Sequence, residues 1–84
     1  MVIDIHLSIV KLYRMRASVF PVITKRELEV LGRVQAGLKS AEIAKELEIS
    51  INTVSNHRKS ILSKTRSSNA WEMVQWGIKH GLLE

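Results

Sequence analysis

Between residues 51 and 66 the chain carries Arg58, Lys59, Lys64 and Arg66 and no aspartate or glutamate. Ser55, Asn56 and Ser63 stand among them, short side chains that both donate and accept hydrogen bonds. Just upstream, residues 42 to 48 hold Glu42, Glu46 and Glu48 against Lys45 alone. One stretch is built to approach negative charge, and its neighbour is not. The whole chain leans the same way, with a formal net charge of +5 over 84 residues. An anionic partner is implied, nucleic acid first and a membrane surface second.

Other chemistries find little support. Cysteine is absent, which excludes disulfides, thiolate nucleophiles and cysteine zinc sites. His6, His57 and His80 are too far apart in sequence for a local metal-ligand pattern. The acids fall in helix starts or in the polar stretch around residue 45, and no acid and base pair up for catalysis. No enzymatic activity, metal or small-molecule cofactor is expected. The apolar start, Met1 to Ile9, is interrupted by Asp4 and His6 and lacks the basic region and cleavage pattern of a secretory signal. No run is apolar enough to cross a bilayer, so no membrane partner and a cytoplasmic location are expected.

The elements that would position the basic stretch are helical. Pro21 biases its predecessor away from helix and marks a boundary. It separates an extension or linker, residues 1–21, from one domain, residues 22–84, that reads as four helices. In the extension, a helix over residues 5–18 is favoured over a strand, although Ile3, Ile5, Leu7 and Ile9 alternate. The first helix of the domain starts at Thr24, with Glu27 completing a capping box. Leu28, Leu31 and Val34 form its buried stripe, and Gly37 ends it. Glu27 and Glu29 read as capping and surface charges, with a pairing of Glu27 to a base across the domain as the alternative. The second helix, capped by Ser40, turns Ile43, Ala44 and Leu47 inward. Glu48-Ile49-Ser50 makes the joint, with Ile49 plugging the corner and Ser50 capping the third helix. There Val54, Ile61 and the stem of Arg58 lie on one side, with Ser55, Asn56, Lys59 and Ser63 on the other. Two such helices across a short joint make a helix-turn-helix signature. The fourth helix, about Asn69 to His80, shows two apolar stripes. Ala70, Val74, Gly77 and Ile78 form one, broadened by Trp71, and Met73, Trp76 and His80 form the other. One face belongs to the core and one to a partner, with one of Trp71 and Trp76 on each.

Residues 22 to 83 resemble the LuxR-type helix-turn-helix domain of bacterial regulators. Ile23-Thr24-Lys25-Arg26-Glu27-Leu28-Glu29-Val30-Leu31 is similar to its opening, and Ala36-Gly37-Leu38-Lys39-Ser40-Ala41-Glu42-Ile43-Ala44 to its second block. Leu47-Glu48-Ile49-Ser50, Thr53-Val54, His57, Ile61, Lys64 and Gly81-Leu82-Leu83 follow in order. The resemblance implies an all-α, four-helix fold, sequence-specific binding of double-stranded DNA and transcriptional regulation. It implies that the third helix enters the major groove and that homodimers form through the fourth, at least on DNA. Sensory domains often precede such a module, and residues 1–21 are too short to be one. A free-standing regulator and a piece of a longer protein, with a missing or separate sensory domain, both stay open. The pattern is departed from at Ser55, where lysine is common, and at Thr65-Arg66, where a leucine-glycine pair is usual. Ala70 and Trp71 stand where polar residues are usual.

By face and by this correspondence, Ser55, Asn56 and Lys59 are expected to read bases. Thr53, Arg58, Lys64 and Arg66 are expected on phosphates, with Lys39 and Ser40 at the start of the second helix. Ala70, Trp71, Val74, Gly77 and Ile78 are expected at the dimer contact. The bland alternatives are that Ser40 and Ser50 only cap, that His57 is packed, and that Lys59 is a solvated surface lysine. The main rival function is a protein-interaction module that has lost DNA binding; it would not need an acid-free stretch.

Overall fold

The computed structural model describes residues 23–84, in which four helices follow one another: α1 Lys25–Gln35, α2 Ser40–Leu47, α3 Ile51–Thr65 and α4 Ala70–Lys79. The expected all-α architecture is observed. The helix expected over residues 5–18 lies outside the described residues. α1 packs on α3 and α4, α2 packs on α3, and α4 completes the bundle against α3.

Local chemistry sets the helix boundaries. Thr24 has an extended backbone, its Oγ1 accepts from the Glu27 N–H at 3.0 Å, and Glu27 Oε1 accepts from the Thr24 N–H at 2.9 Å. This reciprocal box satisfies two amides that helix geometry leaves without partners. Gly37, at φ 90°, turns the chain out of α1 in a conformation that a side chain would strain. Ser50 Oγ accepts from the Thr53 N–H at 3.0 Å and starts α3, and Asn69 Oδ1 accepts from the Glu72 N–H at 2.9 Å and starts α4. Each such cap is worth about 1 kcal/mol.

The cap of α2 differs from expectation. Lys39, not Ser40, is the last extended residue (φ −80°, ψ 160°), and Ser40 is already helical. A lysine ammonium has no acceptor to offer. The start is held instead by Glu42, whose Oε1 accepts from the Lys39 N–H at 2.8 Å. The acid in the first turn, facing the positive end of the helix dipole, therefore fixes the entry into α2 by another bond than the serine cap expected.

Val30, Leu31, Ile43, Val54, Ile61 and Met73 are fully buried at the centre. Burying each such side chain contributes about 1.5–3 kcal/mol. The stripe of α1 is rotated from the expected one: Glu27, Val30 and Leu31 are buried, and Leu28 and Val34 sit half-buried at its edges. Ile49 packs on the core from the corner between α2 and α3, as its apolar nature in a polar turn suggested.

On α4 the two stripes are divided differently. Met73 and Gly77 face the core, and Trp76 is half-buried with its ring centroid 4.5 Å from that of His80. Gly77 does not belong to the outer face. A Cβ there would stand 2.8 Å from Leu83 Cδ1 and 3.1 Å from Leu31 Cδ2. Its carbonyl accepts from the Leu82 and Leu83 amides at 2.8 and 3.1 Å, so the chain after α4 folds back over the bare backbone. The outer stripe is exposed Trp71 and Ile78, with Ala70 and Val74 half-buried at its border against the core. Trp71 is 70% exposed, so the two tryptophans divide one to each face.

Candidate nucleic-acid interface

α3 has two unlike sides. Inward, Val54, Ile61 and Thr65 are buried against α1, α2 and α4. Outward, Asn52, Asn56, Lys59 and Ser63 are exposed and Ser55 is half-buried. At 3.6 residues per turn, Ile51, Ser55 and Lys59 form one row along this face, and Asn52 and Asn56 form the row beside it. The expected base readers Ser55, Asn56 and Lys59 thus fall together on a single outward surface. No acidic side chain belongs to α3.

The expected phosphate contacts are less alike. Thr53 is half-buried, and its hydroxyl lies 2.8 Å from Ser50 Oγ, which ties it to the cap of α3. Arg58 is half-buried on the Val54 and Ile61 side, as the sequence placed its stem. Arg66 is exposed just past α3, in a left-handed conformation at φ 55°. Lys39 is exposed before α2, and Ser40 is half-buried in its first turn.

Lys64 stands apart. Its Nζ donates to both oxygens of Glu27, at 2.8 and 3.1 Å, across 37 residues of chain. The Glu27 side chain is only 4% exposed, and that of Lys64 is 32% exposed. Glu27 therefore does both things: it completes the capping box of α1 and it pairs across the domain. Burial works to raise the Glu27 pKa. The Lys64 ammonium, the Ser60 hydroxyl and the Thr24 N–H outweigh it, and the carboxyl titrates below its usual range. A charge expected to meet phosphate is instead bound inside the domain, where it fastens α3 to the start of α1.

Two features of this surface escaped the sequence reading. Ile51, at the first turn of α3, is 52% exposed, and Asn52 beside it is also exposed. Their spacing of four residues from Ser55 and Asn56 was the available signal. Elsewhere, Val34, Gln35, Ala70, Trp71 and Val74 line a shallow apolar depression of about 200 Å³ between α1 and α4. Among the described residues, no group of histidine or acid side chains is placed to hold a metal, and no helix is long and apolar enough to cross a membrane.

Comparison with known proteins agrees with this geometry. The family described as bacterial regulatory proteins, luxR family, matches residues 21–76. The oxygen regulatory protein NreC of Staphylococcus aureus strain JH9 is 37% identical over 65 residues, 77% of this chain and 30% of that protein. The same protein from strains JH1 and Mu3 matches equally. The chain spans about 30% of the length of the curated relatives it matches.

Proposed function

The chain belongs to the luxR family of bacterial regulatory proteins, and from that membership we propose that α3 enters the DNA major groove as the reading helix of residues 22–84. Helix-turn-helix domains of this family bind DNA sequence-specifically and regulate transcription; they are not enzymes. The finer reading rests on one observation, the acid-free outward face of α3 opposite an inner face anchored by buried Val54, Ile61 and Thr65. A B-form major groove admits a helix and presents a distinct donor and acceptor pattern for each base pair.

Ser55, Asn56 and Lys59 then meet base edges. The Asn56 amide matches adenine, and the Lys59 ammonium matches the guanine acceptors. Arg58, Arg66 and Thr53, with Lys39 and Ser40 at the start of α2, serve the phosphates and set the register. Lys64 serves the same end from within, by holding α3 against α1 through Glu27. A second copy of the chain covers the Trp71, Val74 and Ile78 stripe with Ala70 at its border, which gives a homodimer on two half-sites. Action on DNA places the protein in the cytoplasm.

Selection of bound duplexes from a random-sequence pool at moderate salt tests this. Enrichment of a short motif repeated as inverted half-sites is the expected result. Enrichment of no sequence contradicts base reading by α3 and favours the rival, an interaction module built on the same fold.

A further inference from the structure

A large aliphatic side chain is out of place on a polar surface that faces water. Ile51 is such a side chain: 52% exposed, it contributes little to the core, and it sits in the first turn of α3 beside exposed Asn52. Neither the Asn52 nor the Asn56 side chain has a hydrogen-bond partner among the described residues. One turn apart, they present two free amides along one row. A groove-bound helix meets base edges mainly through its N-terminal residues. Here those residues offer a methyl-bearing surface next to an amide. A T·A pair offers the complement, the thymine C5-methyl group and the adenine N7 acceptor with its N6 donor. A G·C pair has no methyl group, and its purine edge presents two acceptors and no donor, which leaves the amide carbonyl unpaired.

We propose that Ile51 and Asn52 form a second base-reading element that selects an A·T pair in each half-site, Ile51 packing on a thymine methyl and Asn52 pairing with adenine. The proposal rests on α3 occupying the major groove. It extends the readout by one turn towards the start of the helix. The serine at 55 leaves room for this: its side chain is too short to screen Ile51 and Asn52 from the base edges, as a longer one in the same row would.

Random-pool selection with wild type, Asn52→Ala and Ile51→Ala tests it. Both positions are exposed, and alanine is the stronger helix former, so the fold is retained. Wild type is expected to enrich a motif with a fixed A·T pair. Asn52→Ala should keep the half-site spacing and the rest of the motif but lose discrimination at that pair, by roughly 5- to 150-fold. Replacing its thymine by deoxyuridine removes the methyl group. Wild type should then lose affinity by about fourfold, and Ile51→Ala should be indifferent to the exchange. If wild type enriches a motif and both variants enrich the same one at every position, Ile51 and Asn52 do not read bases, and the proposal falls while groove binding by α3 stands. If wild type enriches nothing, the groove reading fails and takes this one with it.

Discussion

The two sides of α3 obey opposite rules. On the inner side, the buried groups are engaged. Val54 and Ile61 are fully buried, the Thr65 hydroxyl donates to the Ile61 carbonyl at 2.8 Å, and Lys64 at the border is held by Glu27. On the outer side, Asn52, Asn56, Lys59 and Ser63 face solvent. A reading helix needs both conditions. Side chains that must meet base edges to within a few tenths of an ångström have to be carried by a backbone that does not move. The groups on the outer side must also be free, because an amide or ammonium bound within the protein would have to be released before it could meet DNA.

The largest way to break this contrast is to loosen the inner side. Ile61→Ala opens a cavity at the centre of the core and should destabilise the fold by about 2–5 kcal/mol. A domain this small has little to spare. Urea denaturation should show a lowered midpoint, and duplex binding should fall for every sequence alike because the platform itself is lost.

Lys64→Met is the subtler break. It leaves the Glu27 carboxylate buried without its cation, which should cost about 2–3 kcal/mol at pH 7, less than for a fully buried pair because Lys64 is partly exposed. The pH dependence carries a sign. In the wild type the Glu27 pKa is lowered on folding. The pair therefore stabilises the fold above the unfolded carboxyl pKa, about 4.3, and this contribution is lost as pH falls through the folded value. In the variant, burial prevails and raises the pKa, so Glu27 is protonated on acidification and its penalty disappears. The gap between variant and wild type should be wide at pH 7 and narrow near pH 4, read by denaturation at the two values. An equal gap at both would mean that the pair contributes packing alone.

Arg66→Gly sharpens the comparison from the end of α3. Arg66 sits at φ 55°, a conformation that glycine adopts freely and arginine only with strain. The substitution should stabilise the fold by about 0.5–1 kcal/mol, seen as a higher melting temperature. It should also weaken duplex binding and lower the salt slope by about one. Opposite signs for stability and binding would mark Arg66 as a residue held in strain at the DNA surface.

Helix boundaries were legible in the sequence wherever a side chain caps its own helix. Thr24 with Glu27, and Ser50, act within a few residues, and short-range chemistry of this kind survives in the order of the residues. The outward face of α3 was legible for the same reason, because helical periodicity is local. Contacts made across the fold were harder to read. Glu27 is the cap that the sequence indicated, but it looked like a surface charge as well because nothing near it in sequence reveals Lys64, 37 residues away. Gly77 looked like part of the outer stripe of α4 because its close neighbours, Leu31 and the returning Leu83, are set by tertiary packing. Lys39 stands in the cap position in place of Ser40, with the Glu42 carboxylate holding its N–H, a one-residue shift that the spacing of serine and acid does not reveal. The thymine-and-adenine surface of Ile51 and Asn52 needed burial values as well as spacing, since an isoleucine at a helix start is more often core than exposed.

Amide chemical shifts recorded while a selected duplex is titrated into the isotopically labelled chain test the division of α3 most directly. If the outer side reads DNA, the largest changes should fall on Asn52, Ser55, Asn56 and Lys59, with smaller ones at Val54 and Ile61. Largest changes on Trp71, Val74 and Ile78 of α4, with the α3 resonances unmoved at saturation, would contradict it.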